Sequence, residues 1–185
     1  GLLMHSEDGG KNWRPIEKVD GVPENFFVND IKADLHDENT VYAVMDDHKT
    51  GDYQPYLAKS TDRGKTWESM VGDLPDRHLL WRIVQDHENP DLFFLGTEFG
   101  IYCTVNSGKN WHKLKSGAPA IPFRDLAIQT RENDLVGASF GRGIYVLDDY
   151  SPLRELNDKL LSENELYLFP VRQALWYIPA DALGG

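Results

Sequence analysis

Three stretches of the sequence alternate between apolar and polar side chains with a period of two, which is typical of half-buried β-strands. Each is followed by a polar turn and then by a run that is apolar at almost every position. Such a run indicates a strand that is buried on both faces. A third strand follows in each unit, so the pattern predicts a repeated antiparallel meander. The predicted first, second and third strands are 28–34, 40–45 and 56–60, then 80–86, 92–96 and 101–104, then 123–129, 135–139 and 144–147.

An eight-residue frame, in which a hydroxyl residue is followed by Asp or Asn, Gly, Lys and finally Trp, occurs at 6–13, 60–67 and 104–111. We interpret it as the hairpin turn between a third and a fourth strand. The Asp or Asn side chain can accept hydrogen bonds from N–H groups of the turn, and the Gly supplies a positive φ. The Trp is expected to begin the fourth strand and to pack across the hairpin. The residues with these structural roles are Ser6, Asp8, Gly10 and Trp13, then Ser60, Asp62, Gly64 and Trp67, then Thr104, Asn106, Gly108 and Trp111.

This frame resembles the Asp-box, or BNR, repeat of sialidase-like and sortilin-like β-propellers. Residues 96–102, 138–149, 151–154 and 168–170 also look like the last blades and exit segment of large exported bacterial BNR-repeat proteins, which are usually labelled glycosyl hydrolase or sortilin-like. The resemblance covers about residues 1–172. It implies an all-β fold, namely a partial β-propeller of about three and a half four-stranded antiparallel blades. It also implies that the parent protein is extracellular or periplasmic.

The repeats predict how the chain is divided. Residues 1–20 supply only the third and fourth strands of a blade, and an exit segment at 151–185 follows the last blade. We therefore expect the remaining blades of a longer parent protein as partners, and self-association of the isolated chain through its uncovered edges and faces. The three full blades are predicted at about 21–71, 72–115 and 116–150.

Two further segments depart from the repeat. A polar extension at 46–55 lies between the second and third strands of the first full blade. After the last blade, Ser151 and Pro152 precede Leu residues at helical spacing, which predicts a short helix over 152–161. A strand is predicted at 166–169, and 171–185 is left unassigned.

Composition limits the classes of partner. The chain of 185 residues has a formal net charge of −11, which argues against a nucleic-acid surface because such a surface requires clustered Lys and Arg. The apolar runs are only a few residues long, whereas a membrane-spanning helix needs about 20. Cys103 is the only cysteine, so no disulfide can form within the chain, and we expect it to be a buried small apolar residue.

In a meander blade, the loops between second and third strands lie at the same end as the connections between blades, and the frame turns lie at the other end. We expect a ligand at the first end, because the frame turns are structural. Acidic residues beside aromatic rings there are typical of a carbohydrate site, since sugars stack on rings and glycoside hydrolysis requires two carboxylates. The candidate catalytic residues are Asp46, Asp47 and Glu98, and the candidate ligand-binding residues are His48, Tyr53, Arg77, His78, Phe99, Phe140 and Arg142.

Two functions fit these residues. The first is a non-catalytic module that binds a polysaccharide or a protein. The second is part of a glycoside hydrolase, in which Glu98 with Asp46 or Asp47 supplies the acid and the base. The catalytic families depart from this chain: the Phe-Arg-Ile-Pro motif of sialidases is only partly matched at 81–84, and the two Asp residues of xyloglucan-cleaving propellers have no secure equivalent.

Calcium is the one metal ion that the sequence suggests. Asp46, Asp47, His48 and Asp52 offer the oxygen-rich surroundings that Ca²⁺ prefers, but they lack the alternating Asp spacing of a calcium loop. The other His residues are scattered without the spacing of zinc ligands. The sequence therefore predicts no zinc site and no organic cofactor.

Overall fold

A computed structural model describes residues 1–115, 117–157, 160 and 167–171. This part of the chain contains strands in four separate antiparallel sheets and almost no helix. The strands are β1 (Leu3–His5), β2 (Arg14–Ile16), β3 (Phe27–Ala33), β4 (Val41–Asp47), β5 (Asp52–Ser60), β6 (Glu68–Ser69), β7 (Leu80–Gln85), β8 (Phe93–Thr97), β9 (Gly100–Thr104), β10 (His112–Lys113), β11 (Phe123–Gln129), β12 (Asp134–Ser139) and β13 (Ile144–Leu147).

Each sheet is a meander of strands that are consecutive in the chain. The strand orders are β1-β2, β3-β4-β5-β6, β7-β8-β9-β10 and β11-β12-β13. The second strands β4 and β8 are buried at nearly every position, because each lies in the middle of a sheet that is covered on both faces. The predicted all-β fold of repeated four-stranded units is therefore confirmed.

The core consists of three apolar layers, each between two successive sheets. Leu3 of the first sheet packs with Ala43, Met45 and Trp67 of the second. Val44 and Leu57 of the second sheet pack with side chains of the third, and Phe94 and Ile101 of the third sheet pack with side chains of the fourth. The sheets thus stack face to face, and each buries the next.

The frame turns have the hydrogen bonds that their sequence predicts. The Ser60 hydroxyl accepts from Gly64 N at 2.8 Å, and Asp62 Oδ1 accepts from the backbone N–H groups of Lys65 at 2.9 Å and Thr66 at 2.8 Å. The turn at 6–13 repeats this arrangement. In the turn at 104–111, the Thr104 hydroxyl accepts from Gly108 N and the Asn106 side chain accepts from Asn110 N. Backbone donors therefore close each turn on the carboxylate or amide two residues after the hydroxyl.

The frame Trp residues differ in exposure. Trp67 and Trp111 are buried, whereas Trp13 is 57% exposed. The two buried rings lie where a frame turn packs against the outer strand of the preceding sheet, and the Trp111 indole donates to Met70 O at 3.2 Å. In the described part of the chain no sheet precedes β1 and β2, so Trp13 has no such surface to pack against.

The structure differs from the sequence-based expectation in three segments. The polar segment 46–55 is not an extended loop: β4 continues through Asp47, a 3₁₀ turn spans His48–Thr50, and β5 begins at Asp52. In the segment 152–161, for which a helix is predicted, a 3₁₀ turn spans Ser151–Glu155 and Leu160 is helical, while 158–159 and 161 lie outside the described residues. The described part of the strand predicted at 166–169 is not a strand, and 166 and 172–185 lie outside the description.

Candidate binding face

The two ends of the sheets carry different loops. At one end, the frame turns bond to the turns between first and second strands, as Arg63 N does to Asn39 O at 2.9 Å. At the other end, the hairpins between second and third strands bond to the connections between sheets, as Glu98 N does to Leu79 O at 2.9 Å. We call this second end the hairpin face; it comprises the hairpins 47–53, 97–100 and 139–143, the connections 72–79 and 117–122, and the adjacent ends of β3, β7 and β11.

Each of the three hairpins exposes one aromatic ring on the hairpin face. Tyr53 is 42% exposed, Phe99 is 47% exposed and Phe140 is 72% exposed. Each ring has a basic or imidazole neighbour. The Arg77 guanidinium lies 5.6 Å from the Tyr53 ring centroid, and the Arg124 guanidinium lies 5.6 Å from that of Phe140. Three successive blades therefore present an exposed ring at the same end, and the first and third of these rings have an arginine beside them.

His78 supports the second of these hairpins from below. It is buried, and its Nε2 lies 2.9 Å from the Thr97 hydroxyl, which donates to Gly100 O. Its ring also contacts those of Phe99 and Tyr102. Burial, with a smaller effect from Lys113, lowers the pKa of His78 below its ordinary value, so its neutral form is favoured. The structure thus places His78 beneath the exposed Phe99 ring.

The candidate carboxylates do not have equal access to solvent. Asp46 is buried and pairs with His48 Nδ1, and Asp47 is buried with one oxygen accepting from the Thr50 hydroxyl at 2.7 Å. Glu98 is partly exposed at the tip of its hairpin. The arrangement therefore offers one accessible carboxylate and two that are enclosed by their own hairpin.

A metal ion has no evident set of ligands here. Asp52, one of the proposed calcium ligands, accepts from the Tyr56 hydroxyl at 2.6 Å. Within the described residues, no three His, Cys, Asp or Glu side chains converge as a metal site would require.

The hairpin face contains a row of β-bulges that the sequence pattern does not predict. The pairing register shifts at the equivalent position of each first strand, so that Asn29, Trp81 and Arg124 are the extra residues. A bulge redirects its side chain and increases the local twist, and bulges are common next to functional sites. Asn29 Nδ2 donates to Leu80 O at 2.7 Å, and the Arg124 guanidinium lies 3.4 Å from the Trp81 ring centroid. Each bulge side chain thus reaches toward a neighbouring sheet.

An ion-pair chain joins three sheets directly beside the bulges. Arg82 of β7 contacts Asp30 of β3 and Asp125 of β11, each at 2.8 Å. Asp30 is buried and also accepts from Ile83 N at 3.1 Å. Because one guanidinium bridges the first strands of successive sheets, it fixes their positions relative to one another. The hairpin face is therefore held in a defined shape.

Comparison with known proteins agrees with the fold. No family model matches the chain. A 102-residue alignment is 32% identical to the xyloglucanase Xgh74A of Acetivibrio thermocellus, and it covers 49% of this chain but only 12% of the enzyme. The version of that enzyme from strain ATCC 27405 is 31% identical over 102 residues with the same coverage. The chain thus spans only a small part of the curated relatives that it matches.

Solved structures are similar over a larger share of the chain. A structure of YCF48 bound to D1 peptide gives a TM-score of 0.55 at 23% identity, with 80% of this chain and 43% of that chain covered. YCF48 from Cyanidioschyzon merolae gives 0.51 at 19% identity, covering 80% of this chain and 46% of its own. An ancestral GH74 enzyme gives 0.50 at 22% identity, covering 62% and 14%.

The described residues contain no helix that is long and apolar enough to cross a membrane. The repeated meanders, the stacked sheets and these structural similarities lead to one conclusion about architecture. The chain is part of a β-propeller.

Proposed function

We propose that the chain is part of an exported propeller of the Asp-box type, related to sortilin-like proteins, and that its hairpin face binds polysaccharide. The observation that carries the proposal is the row of exposed rings at Tyr53, Phe99 and Phe140, one on each of three successive hairpins. The C–H face of a pyranose packs on an aromatic ring, and a ring on each blade suits a ligand that repeats along its length. Aromatic side chains also lose little conformational entropy when they bind.

The support beneath the rings favours binding. His78 packs against Phe99, and Arg82 links β3, β7 and β11 through ion pairs. A preorganised face spends less of its interaction energy on ordering side chains and loops when the ligand arrives. The similarity to a xyloglucanase, an enzyme named for a polysaccharide, points the same way. The remaining blades of the parent protein would extend the face.

The proposal is tested by truncating the rings. We expect Phe140→Ala and Phe99→Ala each to weaken binding of xyloglucan and cello-oligosaccharides about tenfold, or about 1.4 kcal/mol, because each removes a stacking surface. Isothermal titration calorimetry measures this. Leu35→Ala is the matched control, because Leu35 is an exposed apolar residue in the turn after β3, at the opposite end of the sheet. Equal binding by all three variants and the wild type would show that the rings take no part.

A glycoside hydrolase is the second candidate, favoured by the xyloglucanase similarity. In that case Glu98 is the accessible carboxylate, and Asp46 or Asp47 would have to be released from its hairpin before it could reach substrate. We expect Glu98→Gln to abolish any release of reducing sugar that this chain, or the longer protein containing it, shows on xyloglucan. Cleavage at the wild-type rate by Glu98→Gln would reject this residue, and absence of cleavage by the longer wild-type protein would reject the activity.

A further inference from the structure

The described arginine side chains fall into two groups. The first group bonds to protein oxygen atoms. Arg14 donates to Arg63 O, Arg63 to Asn39 Oδ1, Arg82 to Asp30, Arg131 to Glu132 and Arg154 to Asp86. In contrast, Arg77, Arg124 and Arg142 have no oxygen partner among the residues that the structure describes, and all three lie on the hairpin face.

Arg124 is the best defined of the three. Its guanidinium stacks on the buried Trp81 ring, with 3.4 Å between Cζ and the ring centroid, and lies beside the exposed Phe140 ring. Stacking covers one face of the guanidinium plane, and its N–H donors, which point outward in that plane, meet no acceptor among the residues that the structure describes. The β-bulge at Arg124 is what aims the side chain across to β7. The guanidinium is thus held in place before any ligand binds.

The local charge contrasts with that of the whole chain. The formal net charge is −11, yet Arg77 lies over Tyr53, Arg124 over Trp81 and Lys49 over Phe27, all on one face. Of the nearby carboxylates, Asp125 and Asp30 contact Arg82 and Asp46 pairs with His48, whereas Glu98 is accessible at the tip of its hairpin. In the described part of the chain, Arg77, Arg124 and Lys49 thus lie beside aromatic rings without a carboxylate partner, although the sequence has more carboxylates than basic side chains.

We propose that the hairpin face recognises an acidic polysaccharide, and that Arg124 binds the carboxylate of a uronic acid in it, with Arg77 and Arg142 placed to meet further carboxylates along the same chain. The inference rests on the proposed function and names its ligand class. A guanidinium offers two parallel N–H donors in one plane, which match the two oxygens of a planar carboxylate. A sugar ring that bears such a group supplies both the apolar face for a ring and the anion for a guanidinium.

The test compares two oligosaccharides of equal length, one of galacturonic acid and one of neutral glucose, by titration calorimetry with the 185-residue chain at low ionic strength. We expect the acidic oligosaccharide to bind at least about tenfold more tightly, and this preference to shrink as salt is added. Arg124→Gln should weaken binding of the acidic oligosaccharide about tenfold and leave the neutral one unchanged. Arg124→Lys should restore only part of the loss, because an ammonium keeps the charge but lacks the planar fork.

Arg131→Gln is the matched control, because Arg131 is exposed in the turn between β11 and β12, at the opposite end of the sheet, and should alter neither titration. Equal affinity for both oligosaccharides would overturn this inference while the proposed function stands. Absence of binding to either would overturn both. Tighter binding of a sulfated glucan would reject the carboxylate, and tighter binding of a poly-glutamate peptide would reject the polysaccharide.

Discussion

Replacing Trp67 by alanine should lower the free energy of unfolding by about 3 to 5 kcal/mol, the range for truncating a buried aromatic side chain. The ring belongs to the apolar layer between the first and second sheets, with Leu3 and Met45 in the same cluster and Ile16 at its edge. Its indole N–H has no hydrogen-bond partner in the described part, so the expected loss comes from packing alone. Urea unfolding followed by far-ultraviolet circular dichroism measures it.

Trp13 provides a control that the repeat itself supplies. It occupies the same position of the same frame, and its indole donates to Gly10 O at 2.9 Å, but 57% of its surface is exposed. Trp13→Ala should therefore cost less than about 1 kcal/mol. Similar losses for the two substitutions would mean that the frame Trp acts within its own turn, and that its packing between sheets contributes little.

The repeat explains why the fold could be predicted from the sequence. Each frame marks the turn between the third and fourth strands of a unit. Aligning the frames therefore also aligns the strands of one unit with those of the next. The buried second strands can then be recognised in the sequence by their unbroken apolar runs. The exposure of Trp13 could not be read in this way, because it depends on which surface faces the turn and not on the turn's own residues.

The binding face could be predicted only in part. The hairpins and their aromatic residues follow from the meander. A strict period of two, however, assigns Trp81 and Arg124 each to one face of the sheet, because it does not allow for a residue inserted in the strand. A β-bulge at each position changes where the side chain points, and the composition of a single strand does not predict a bulge. Asp46 and Asp47 were assigned to a loop because they are polar. The structure buries them instead: His48 pairs with Asp46, and Thr50 donates to one oxygen of Asp47, while the other Asp47 oxygen has no partner in the described part of the chain.

A buried carboxylate holds the exit segment against the third sheet, and the sequence alone does not indicate this role. Asp86 follows β7 and is fully buried. It accepts from Arg154 through two nitrogens, each at 2.8 Å, and from the Tyr150 hydroxyl at 2.7 Å. Backbone N–H groups of Glu88 and Asn89 complete its shell, and Arg154 also contacts the Glu88 carboxylate at 2.7 Å. One carboxylate therefore joins the end of β7 to the 3₁₀ turn that follows the last sheet.

The network also sets the pKa of Asp86. Burial raises the pKa, but hydrogen bonds from Arg154, Tyr150 and the backbone outweigh it and hold the pKa at about 2, below the ordinary value of 3.8. A carboxyl whose pKa is lower in the folded state stabilises the fold above its unfolded pKa. That stabilisation is lost as the pH falls from about 4 through about 2, and its full size is about 2 kcal/mol.

Asp86→Asn should therefore lower the free energy of unfolding at pH 7 by about 3 to 5 kcal/mol, because it removes the buried partner charge of Arg154 and leaves only the exposed Glu88 carboxylate beside the guanidinium. Measured between pH 5 and pH 2, the gap between wild type and variant should narrow as the wild-type carboxylate is protonated. Other carboxylates with lowered pKa values, such as Asp34, contribute equally to the free energy of unfolding of both proteins, so their contributions cancel in the difference. Asp148→Asn, at an exposed position, should leave stability and its pH dependence unchanged. A gap that stays constant down to pH 2 would show that Asp86 acts through its shape and hydrogen bonds and not through its charge.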